Sequence, residues 1–197
     1  MFLASDDIID WRSPAILACG ARLGAAEADK LAYARRCFDF VRDEIRHSWD
    51  CRQNPVTCAA SQVLAHSTGY CYAKSHLLAA LLRAGNLPAG LCYQRLRLDD
   101  GRFCLHGLNA VKLPNHGWYR MDARGVTPDG AAEFCPPLER LAFPIIHAGE
   151  VDLPGIWAAP LPVVVQTLRT CRTYLEVYEN LPDCAELPGG YAADWRR

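Results

Sequence analysis

Apolar residues recur at three- and four-residue steps in the first part of the chain, a period that predicts amphipathic helices. A helix is expected over 14–24, with Ser13-Pro14 at its start. The clearest pattern covers 27–45, and a shorter helix is expected over 59–65, after a loop over 47–55. The apolar face of the 27–45 helix is predicted to comprise Leu31, Ala34, Phe38, Val41 and Ile45.

The segment 72–84 is apolar on most sides, which is the pattern of a helix buried at the centre of a domain. Gly85-Asn86 ends it, and Pro88 prevents its continuation. Cys71 stands at its start, directly after a break at 67–69. A helix N-terminus carries about half a positive charge and unpaired N–H groups, so it favours a thiolate over a thiol. Cys71 is therefore a candidate nucleophile.

Beyond this helix the period changes to two, which predicts strands. Residues 91–98 alternate as a half-buried strand does, 99–102 form a hairpin turn around an Asp-Gly pair, and 103–113 form the returning strand. A third short strand is expected over 118–122. One buried helix followed by an antiparallel meander predicts an α+β fold and argues against alternating βαβ units.

The chain becomes rich in proline after residue 125, which predicts extended segments and turns. One more helix is expected over 162–178, and a loosely ordered tail over 181–197. The length of 197 residues suits one domain. We therefore predict a core over 1–125, with its N-terminal helices, and a region over 126–197 that wraps onto this core within the same domain.

Composition and charge are those of an ordinary globular protein, with 51% hydrophobic and 22% charged residues. A formal net charge of −1 gives no electrostatic reason to expect nucleic acid or an anionic membrane as a partner. No stretch approaches the roughly 18 apolar residues of a spanning helix. The acidic N-terminus lacks the basic start of a secretory signal. These features predict a cytoplasmic protein, and they leave its oligomeric state open.

Ten cysteines is a high count, but no two have the CxxC spacing from which zinc sites and redox pairs are built. A disulfide framework would need an oxidising compartment. We expect nearly all ten to be small hydrophobic residues, with Cys71 as the exception, and we expect no metal and no cofactor. Cys104 shares a strand face with His106 and could border a site there, but packing is its expected role.

A thiol nucleophile needs a base that takes its proton and a third group that orients this base. His106 is the only histidine on the returning strand, and Asp122 ends the next strand. Adjacent antiparallel strands lie about 4.8 Å apart, so side chains on one face can hydrogen-bond across them. A helix N-terminus against this sheet would bring Cys71 to His106. The other histidines lack ligand spacing and are expected to be structural or at the surface: His47, His66, His76, His116 and His147.

Three motifs resemble those of the transglutaminase-like superfamily and stand in the same order. Residues 69–89 are similar to its Gly-x-Cys motif, apolar helix and Leu-Arg-Ala-x-Gly-Ile-Pro-Ala-like end. Residues 106–111 are similar to its histidine segment, and 117–122 match its Gly-Trp-x-x-x-Asp segment. The resemblance covers about 40–125. Residues 125–180 more loosely resemble the C-terminal part of a small bacterial subgroup of such proteins.

The resemblance implies a papain-like α+β fold, in which a central helix that carries Cys71 packs on an antiparallel sheet that carries His106 and Asp122. In the implied triad, Cys71 attacks an amide or ester carbonyl to give a thioester, and His106 takes the thiol proton and returns it to the leaving amine. Asp122 holds the imidazole in position. Ala110 stands where family members often carry an acid, a departure that concerns the substrate more than the chemistry.

No motif identifies the donors of an oxyanion hole. The backbone N–H of Cys71 is one expected donor, because it lies at the start of the helix. A side chain from 47–62 is expected to supply the second, and Trp49 and Gln62 are the candidates.

These features predict a cysteine hydrolase, either a peptidase or an amidase, that acts on a peptide, a protein or a small amide. Transglutaminase activity is less expected, because no binding site for an amine is legible. The alternative is a catalytically silent domain that binds a peptide or a partner protein, and the intact cysteine, histidine and aspartate argue against it. A thiol redox protein is a weaker third possibility, since no resolving cysteine stands at CxxC spacing.

Overall fold

The described structure combines helices with one main antiparallel sheet. A computed structural model describes residues 1–127 and 130–184, so Pro128 and the part of the expected tail beyond 184 lie outside the described residues. The helices are α1 (Pro14–Arg22), α2 (Lys30–Glu44), α3 (Ser48–Cys51), α4 (Ala60–His66), α5 (Cys71–Ala84), α6 (Pro162–Thr170) and α7 (Tyr174–Glu179). The strands are β1 (Arg46–His47), β2 (Thr68–Gly69), β3 (Ala89–Arg97), β4 (Phe103–Leu113), β5 (Gly117–Met121), β6 (Val126–Thr127), β7 (Gly130–Ala131), β8 (Glu133–Cys135), β9 (Leu138–Arg140) and β10 (Val151–Asp152). This mixture confirms the predicted α+β class.

Helix α5 is the predicted central helix, and all of its residues from Cys71 to Arg83 are buried. It contacts α1, α2 and α4 as well as β3 and β4, so helices and sheet enclose it together. Its leucines have no exposed surface: Leu77, Leu78, Leu81 and Leu82. Each buried leucine side chain stabilises the fold by about 1.5–3 kcal/mol, so α5 contributes a large share of the hydrophobic stabilisation.

The main sheet has the strand order β10-β3-β4-β5, and all of its pairs are antiparallel. The three predicted strands are confirmed, and β10 adds a short fourth strand at the edge. The expected half-burial of β3 is confirmed at Arg95–Arg97, where burial alternates, but it is wrong for Ala89 to Gln94, which are all buried. Helix α5 covers one face of β3. The other face is covered at Gly90, where an added Cβ would lie 2.4 Å from Ile156 and 3.0 Å from Phe2.

The first two helices form where the pattern predicts them, with one shift. Helix α1 starts at Pro14, directly after its cap. Helix α2 begins three residues later than expected, because the carboxylate of Asp29 accepts a hydrogen bond from the N–H of Ala32 at 2.9 Å and caps the helix there. Leu31 is 37% exposed, so its placement on the apolar face is wrong. Tyr33 is buried instead, since the buried face is rotated from the predicted one.

The sequence predicts a plain loop over 47–55, but the structure has a short strand and a helical turn in this part of the chain. Strand β1 pairs with β2 in parallel and places His47 opposite Gly69. The single turn α3 follows at once. The hydroxyls of Ser48 and Thr68 lie 3.1 Å apart and join the two strands. A two-residue pairing between distant segments has no periodicity, so nothing in the local sequence indicates it.

The helix expected over 162–178 is divided into α6 and α7. Cys171 is extended, with ψ 139°, and the hydroxyl of Thr173 accepts from the N–H of Glu176 at 3.2 Å, so a second helix is capped at Thr173. The apolar stripe continues through both helices, so the hydrophobic pattern does not show where the first helix ends.

The described part of the tail is tied to the core, which corrects the expectation of loose order for 181–184. The N–H of Leu105 donates to the carbonyl of Pro182 at 2.7 Å. Arg95 pairs with Asp183 at 2.7 Å. None of the helices in the described ranges is both long and apolar enough to cross a membrane.

Arg83 is a buried cation near the end of α5 that holds three distant segments together. Its guanidinium donates to the carbonyl oxygens of Ala89 at 3.0 and 2.8 Å, Ala4 at 2.7 Å and Ala158 at 2.6 Å. Burial lowers the pKa of Arg83 to about 10, so the side chain is still charged near pH 7. Hydrogen bonds from a charged group are stronger than neutral ones, and these fix the N-terminal segment and residue 158 to α5.

We expect Arg83→Leu to lower the free energy of unfolding by about 2–4 kcal/mol, because it leaves three buried carbonyl acceptors without their charged donor. Urea denaturation followed by tryptophan fluorescence measures the change. Arg172→Leu is the matched control, since Arg172 is exposed. Equal midpoints for the two variants would contradict the assigned role of Arg83.

Candidate active site

Cys71 is the first residue of α5 and has only 8% of its surface exposed. The chain reaches it from Ser67, which has a left-handed backbone conformation (φ 50°) and ends α4. Strand β2 and the extended residue Tyr70 follow, and they turn the chain into the new helix. The break that the sequence shows at 67–69 therefore aims the N-terminus of α5, with its unpaired N–H groups, at the thiol.

Gly107 lets the start of α5 lie directly against β4. A Cβ added at Gly107 would be 3.0 Å from the ring of Tyr72 and 3.1 Å from its Cα. The hydroxyl of Tyr72 donates to the carbonyl of Leu105 and fastens the same contact. Because Gly107 follows His106 and Tyr72 follows Cys71, this approach brings the cysteine and the histidine together.

His106 and Asp122 form a buried hydrogen-bonded pair, with 4% and 0% of their surfaces exposed. The Nε2–H of His106 donates to Oδ2 of Asp122 at 2.8 Å, which leaves Nδ1 for the thiol. The pairing of β4 with β5 extends to Met121, and Asp122 is the next residue. Asp122 therefore lies on the same face of the sheet as His106, opposite the position two residues further along β4. The ring of Phe143 packs edge-on against the imidazole, with centroids 4.9 Å apart.

Backbone donors keep Asp122 ionised in spite of its burial. Burial raises the pKa of the carboxyl, but the charge and hydrogen bond of His106 and two backbone N–H groups hold it below the ordinary value. The N–H of Arg124 donates to Oδ1 at 3.0 Å, and the N–H of Ala142 donates to Oδ2 at 3.1 Å. Asp122 is therefore a fixed anion that orients His106.

The electrostatics favour a thiolate–imidazolium pair. Burial raises the pKa of Cys71, but the charge and the hydrogen bond of His106, with a smaller effect of the neighbouring His47, outweigh it and lower the pKa to about 6. Burial lowers the pKa of His106, but Asp122 and Cys71 raise it to about 10. Near pH 7 the thiol is thus largely deprotonated while the imidazole still holds its proton.

His47 also lies beside Cys71, contrary to the structural or surface role expected for it. The backbone N–H of Cys71 donates to Nε2 of His47 at 3.2 Å. Nδ1 of His47 lies 3.6 Å from Oδ1 of Asp50, and Asp50 is held by Arg124 at 2.6 and 2.9 Å. The expected structural or surface role overlooked a legible signal, namely a histidine and an aspartate three residues apart on one turn. The pairing of β1 with β2 brings His47 to Cys71, and it joins distant segments, so the local sequence does not indicate it.

The two side chains predicted as oxyanion-hole donors lie in different places. Trp49 lines a cavity beside Cys71, and its ring stacks on Tyr178 with centroids 3.7 Å apart. Gln62 is not among the residues that line this cavity. Its carboxamide oxygen accepts from the N–H groups of Cys58 and Ala59, both at 3.1 Å, and so caps the start of α4. The structure therefore does not bring Gln62 to Cys71.

A cavity of about 390 Å³ opens at the surface beside Cys71. Cys104 lies in its wall, as does the exposed His147. Burial raises the pKa of Cys104 to about 12, so this second thiol stays protonated. Aromatic and aliphatic side chains form much of the rest: Trp49, Tyr70, Tyr72, Phe143, Ile146 and Tyr178. Charged side chains of both signs complete the rim: Arg97, Asp99, Arg124 and Glu150.

Sequence comparison identifies the family. Residues 18–123 match the model of the transglutaminase-like superfamily, which is more than half of the chain. The chain belongs to this superfamily. The match ends one residue after Asp122, so it covers Cys71, His106 and Asp122 together. No curated protein has a significantly similar sequence.

Solved structures with the transglutaminase-like fold resemble the chain at low identity. A protein from Cytophaga hutchinsonii with a provisional cysteine-protease assignment is 16% identical, with a TM-score of 0.51 over 62% of this chain and 40% of its own. The periplasmic domain of TgpA from Pseudomonas aeruginosa is 23% identical, with a TM-score of 0.44 over 56% of this chain and 42% of its own. The first likeness shows the fold alone, and it confirms the papain-like arrangement. The chain spans about two fifths of the length of both proteins.

Alkylation of Cys71 by iodoacetamide should be half-maximal near pH 6, because the thiolate is the reactive form and its pKa is lowered. In His106→Ala, burial acts against the thiolate without the imidazolium charge, so the midpoint should move up toward or beyond the ordinary thiol value of about 8.5. Mass spectrometry of the Cys71 peptide measures both profiles. His116→Ala, on an exposed turn, is the matched control. Superimposable profiles for wild type and His106→Ala would contradict the pairing.

Gly107→Ala should slow the alkylation of Cys71 at pH 7 by roughly 10- to 100-fold, because the added Cβ forces the start of α5 away from β4 and from His106. Gly117→Ala is the matched control. Gly117 has φ +70°, so alanine strains its backbone, but an added Cβ there meets nothing within 4 Å. A loss of rate in Gly117→Ala as large as that in Gly107→Ala would indicate general destabilisation and not a displaced helix.

Proposed function

We propose that this chain is a cysteine hydrolase that cleaves an amide through a thioester on Cys71, with His106 as general base and acid and Asp122 as the group that orients it. The observation that carries the proposal is the position of Cys71 at the start of α5 beside the buried His106–Asp122 pair, which also lowers the pKa of the thiol. Membership of the transglutaminase-like superfamily supports a cysteine-dependent role in general.

The first half of the reaction transfers the acyl group to sulfur. The Cys71 thiolate attacks the carbonyl carbon, a C–S bond forms, and the π electrons move to the oxygen. When this intermediate collapses, the C–N bond breaks, and the proton on Nδ1 of His106 goes to the leaving amine. The imidazole remains hydrogen-bonded to Asp122 throughout, so its orientation is fixed.

The second half returns the thiolate. Neutral His106 takes a proton from the incoming acceptor, whose oxygen or nitrogen attacks the thioester carbon, and the C–S bond then breaks. Water is the acceptor that we propose, because the cavity opens at the surface and offers no enclosed site for an amine. With an amine as acceptor, the same groups would perform transglutamination.

The cavity walls favour a peptide or protein segment as the substrate. The volume of about 390 Å³ lies within the range of sites that bury small ligands or a few residues. The stacked rings of Trp49 and Tyr178 and the exposed side chain of Ile146 offer an apolar surface to the residue beside the scissile bond. Since the rim carries both signs of charge, a strongly charged substrate is not favoured.

A cytoplasmic location remains a prediction, and it is supported by the cysteines. No disulfide is present among the described residues, and seven cysteines besides Cys71 are buried or pack against the core as small apolar side chains: Cys19, Cys37, Cys58, Cys92, Cys104, Cys171 and Cys184. A reducing compartment keeps exposed thiols such as Cys51 free as well.

Acylation by p-nitrophenyl acetate tests the proposed chemistry without knowledge of the substrate. We expect a burst of one p-nitrophenolate per chain and an acetyl group on the Cys71 peptide, both absent in Cys71→Ser. Thioester loss that is not accelerated by an added primary amine would support water as the acceptor. A folded protein that shows no burst would favour the catalytically silent, peptide-binding alternative.

A further inference from the structure

His47 occupies a position that the proposed chemistry does not yet use. Its ring is 8% exposed, and its Nε2 lies 3.2 Å from the backbone nitrogen of Cys71. This backbone N–H is the donor that a carbonyl oxygen at the thiol would meet. A side chain whose polar atom lies this close to the donor can join it in binding the same oxygen.

We propose that His47, protonated at Nε2, is the second donor to the oxyanion that forms when Cys71 attacks a carbonyl carbon. This inference rests on the proposed function. It places the second donor at a residue outside the two candidates that the sequence offered, Trp49 and Gln62, and Gln62 is already used as the cap of α4.

The charged groups around His47 determine which of its nitrogens carries a proton. Nδ1 makes no hydrogen bond within the described residues, but the carboxylate of Asp50 lies 3.6 Å away. The two hydrogen bonds from Arg124 and the neighbouring His47 lower the pKa of Asp50 against the effect of burial, so Asp50 is an anion. An anion beside Nδ1 favours a proton on Nδ1 in the neutral ring. Nε2 then carries a proton only in the imidazolium form.

The remaining neighbours act on the ring from the start of α5 and from β4. Tyr70 packs edge-on against it, with centroids 5.3 Å apart, and burial raises the pKa of this phenol, so it stays neutral. Attack on a carbonyl moves the negative charge from sulfur to an oxygen next to Nε2, and a protonated Nε2 is the form that donates to this oxygen.

The same nitrogen therefore has two states. In the neutral state Nε2 accepts the Cys71 N–H and covers it, as the structure shows. In the protonated state Nε2 releases this N–H, and both groups donate to the oxyanion while the C–S bond forms. His47 takes its proton from solvent and keeps it when the C–N bond breaks, because the leaving amine receives its proton from His106.

Two reactions of the same thiol separate this role from a mere effect on the thiolate. Acylation by p-nitrophenyl acetate passes through an oxyanion, whereas alkylation by iodoacetamide displaces iodide at a methylene carbon and does not. Both rates are measured across pH for wild type, His47→Ala and His47→Gln, and each rate is divided by its thiolate fraction. The carboxamide nitrogen of glutamine replaces Nε2 as a neutral donor. His116→Gln is the control for the substitution itself, since His116 is exposed and outside the cavity wall.

We expect His47→Ala to lower the corrected acylation rate by about 100-fold and to leave the corrected alkylation rate within about threefold. His47→Gln should recover most of the acylation.

Equal losses of acylation and alkylation in His47→Ala would overturn the inference, because His47 would then only position or ionise the thiol. Unchanged acylation in His47→Ala would overturn it as well. Both results leave the proposed function intact, since wild type is still acylated at Cys71. A wild-type protein that is alkylated but never acylated would overturn the proposed function, and the inference with it.

Discussion

Complete burial of α5 is the constraint on which the site depends. A helix that is enclosed on every side cannot shift by a fraction of an ångström without disturbing the packing of several elements, so its first residue is fixed in space. The polar residues of α5 add direction to this packing. Lys74 donates to the carbonyl of Ile45 at 2.6 Å, and Nδ1 of His76 bonds the carbonyl of Cys58 at 2.8 Å. Burial lowers the pKa of Lys74 to about 8 and that of His76 to about 4.

These polar contacts connect α5 to the two segments that frame Cys71. Ile45 directly precedes β1, which carries His47, and Cys58 lies two residues before α4, which leads to β2. The same buried helix thus holds its own cysteine and the chain that brings His47 to it. A change in the middle of α5 would consequently reach the site through β1 and β2 as well as through Cys71.

The ion pair at the site is stable because each charge has a partner that is itself fixed. A thiolate and an imidazolium buried together lose hydration, and their mutual attraction offsets this loss only when the geometry is maintained. Asp122 maintains it on one side with three hydrogen bonds, from His106 and from two backbone N–H groups. On the other side, the Arg124–Asp50 pair faces His47. Arg124 therefore serves both sides, since its backbone N–H bonds Asp122 and its guanidinium holds Asp50.

The sequence indicates those parts of the structure that have a local cause. Periodicity identifies α1, α2, α4, α5 and the three main strands, because each buries a face or a whole surface. The order of Cys71, His106 and Asp122 is legible for the same reason, since each stands at an end or on a face of such an element. Features that arise from contact between distant segments are not legible. They include the pairing of β1 with β2, the cover over β3, and the contact of His47 with Cys71.

Local competition accounts for the other differences. Asp29 caps α2 later than its apolar stripe begins, and Thr173 caps α7 inside a stripe that runs on from α6. In both cases a side-chain oxygen satisfies backbone N–H groups that hydrophobic periodicity does not consider. Gln62 shows the same effect at the site, because its carboxamide caps α4 and is not available to Cys71.

The region after residue 125 is a structural part of the site, although the superfamily match ends before it. Asp122 is fully buried, and a buried carboxylate needs donors. One of its donors is the N–H of Ala142, and the neighbouring Phe143 covers His106. Arg120, on the strand that leads to Asp122, pairs with Asp152 and with Glu139, both at 2.8 Å, and so fixes that segment to the sheet. The part of the chain that matches the superfamily therefore supplies Cys71, His106 and Asp122, and the region that follows supplies the hydrogen bond and the cover that keep the histidine and aspartate buried and paired.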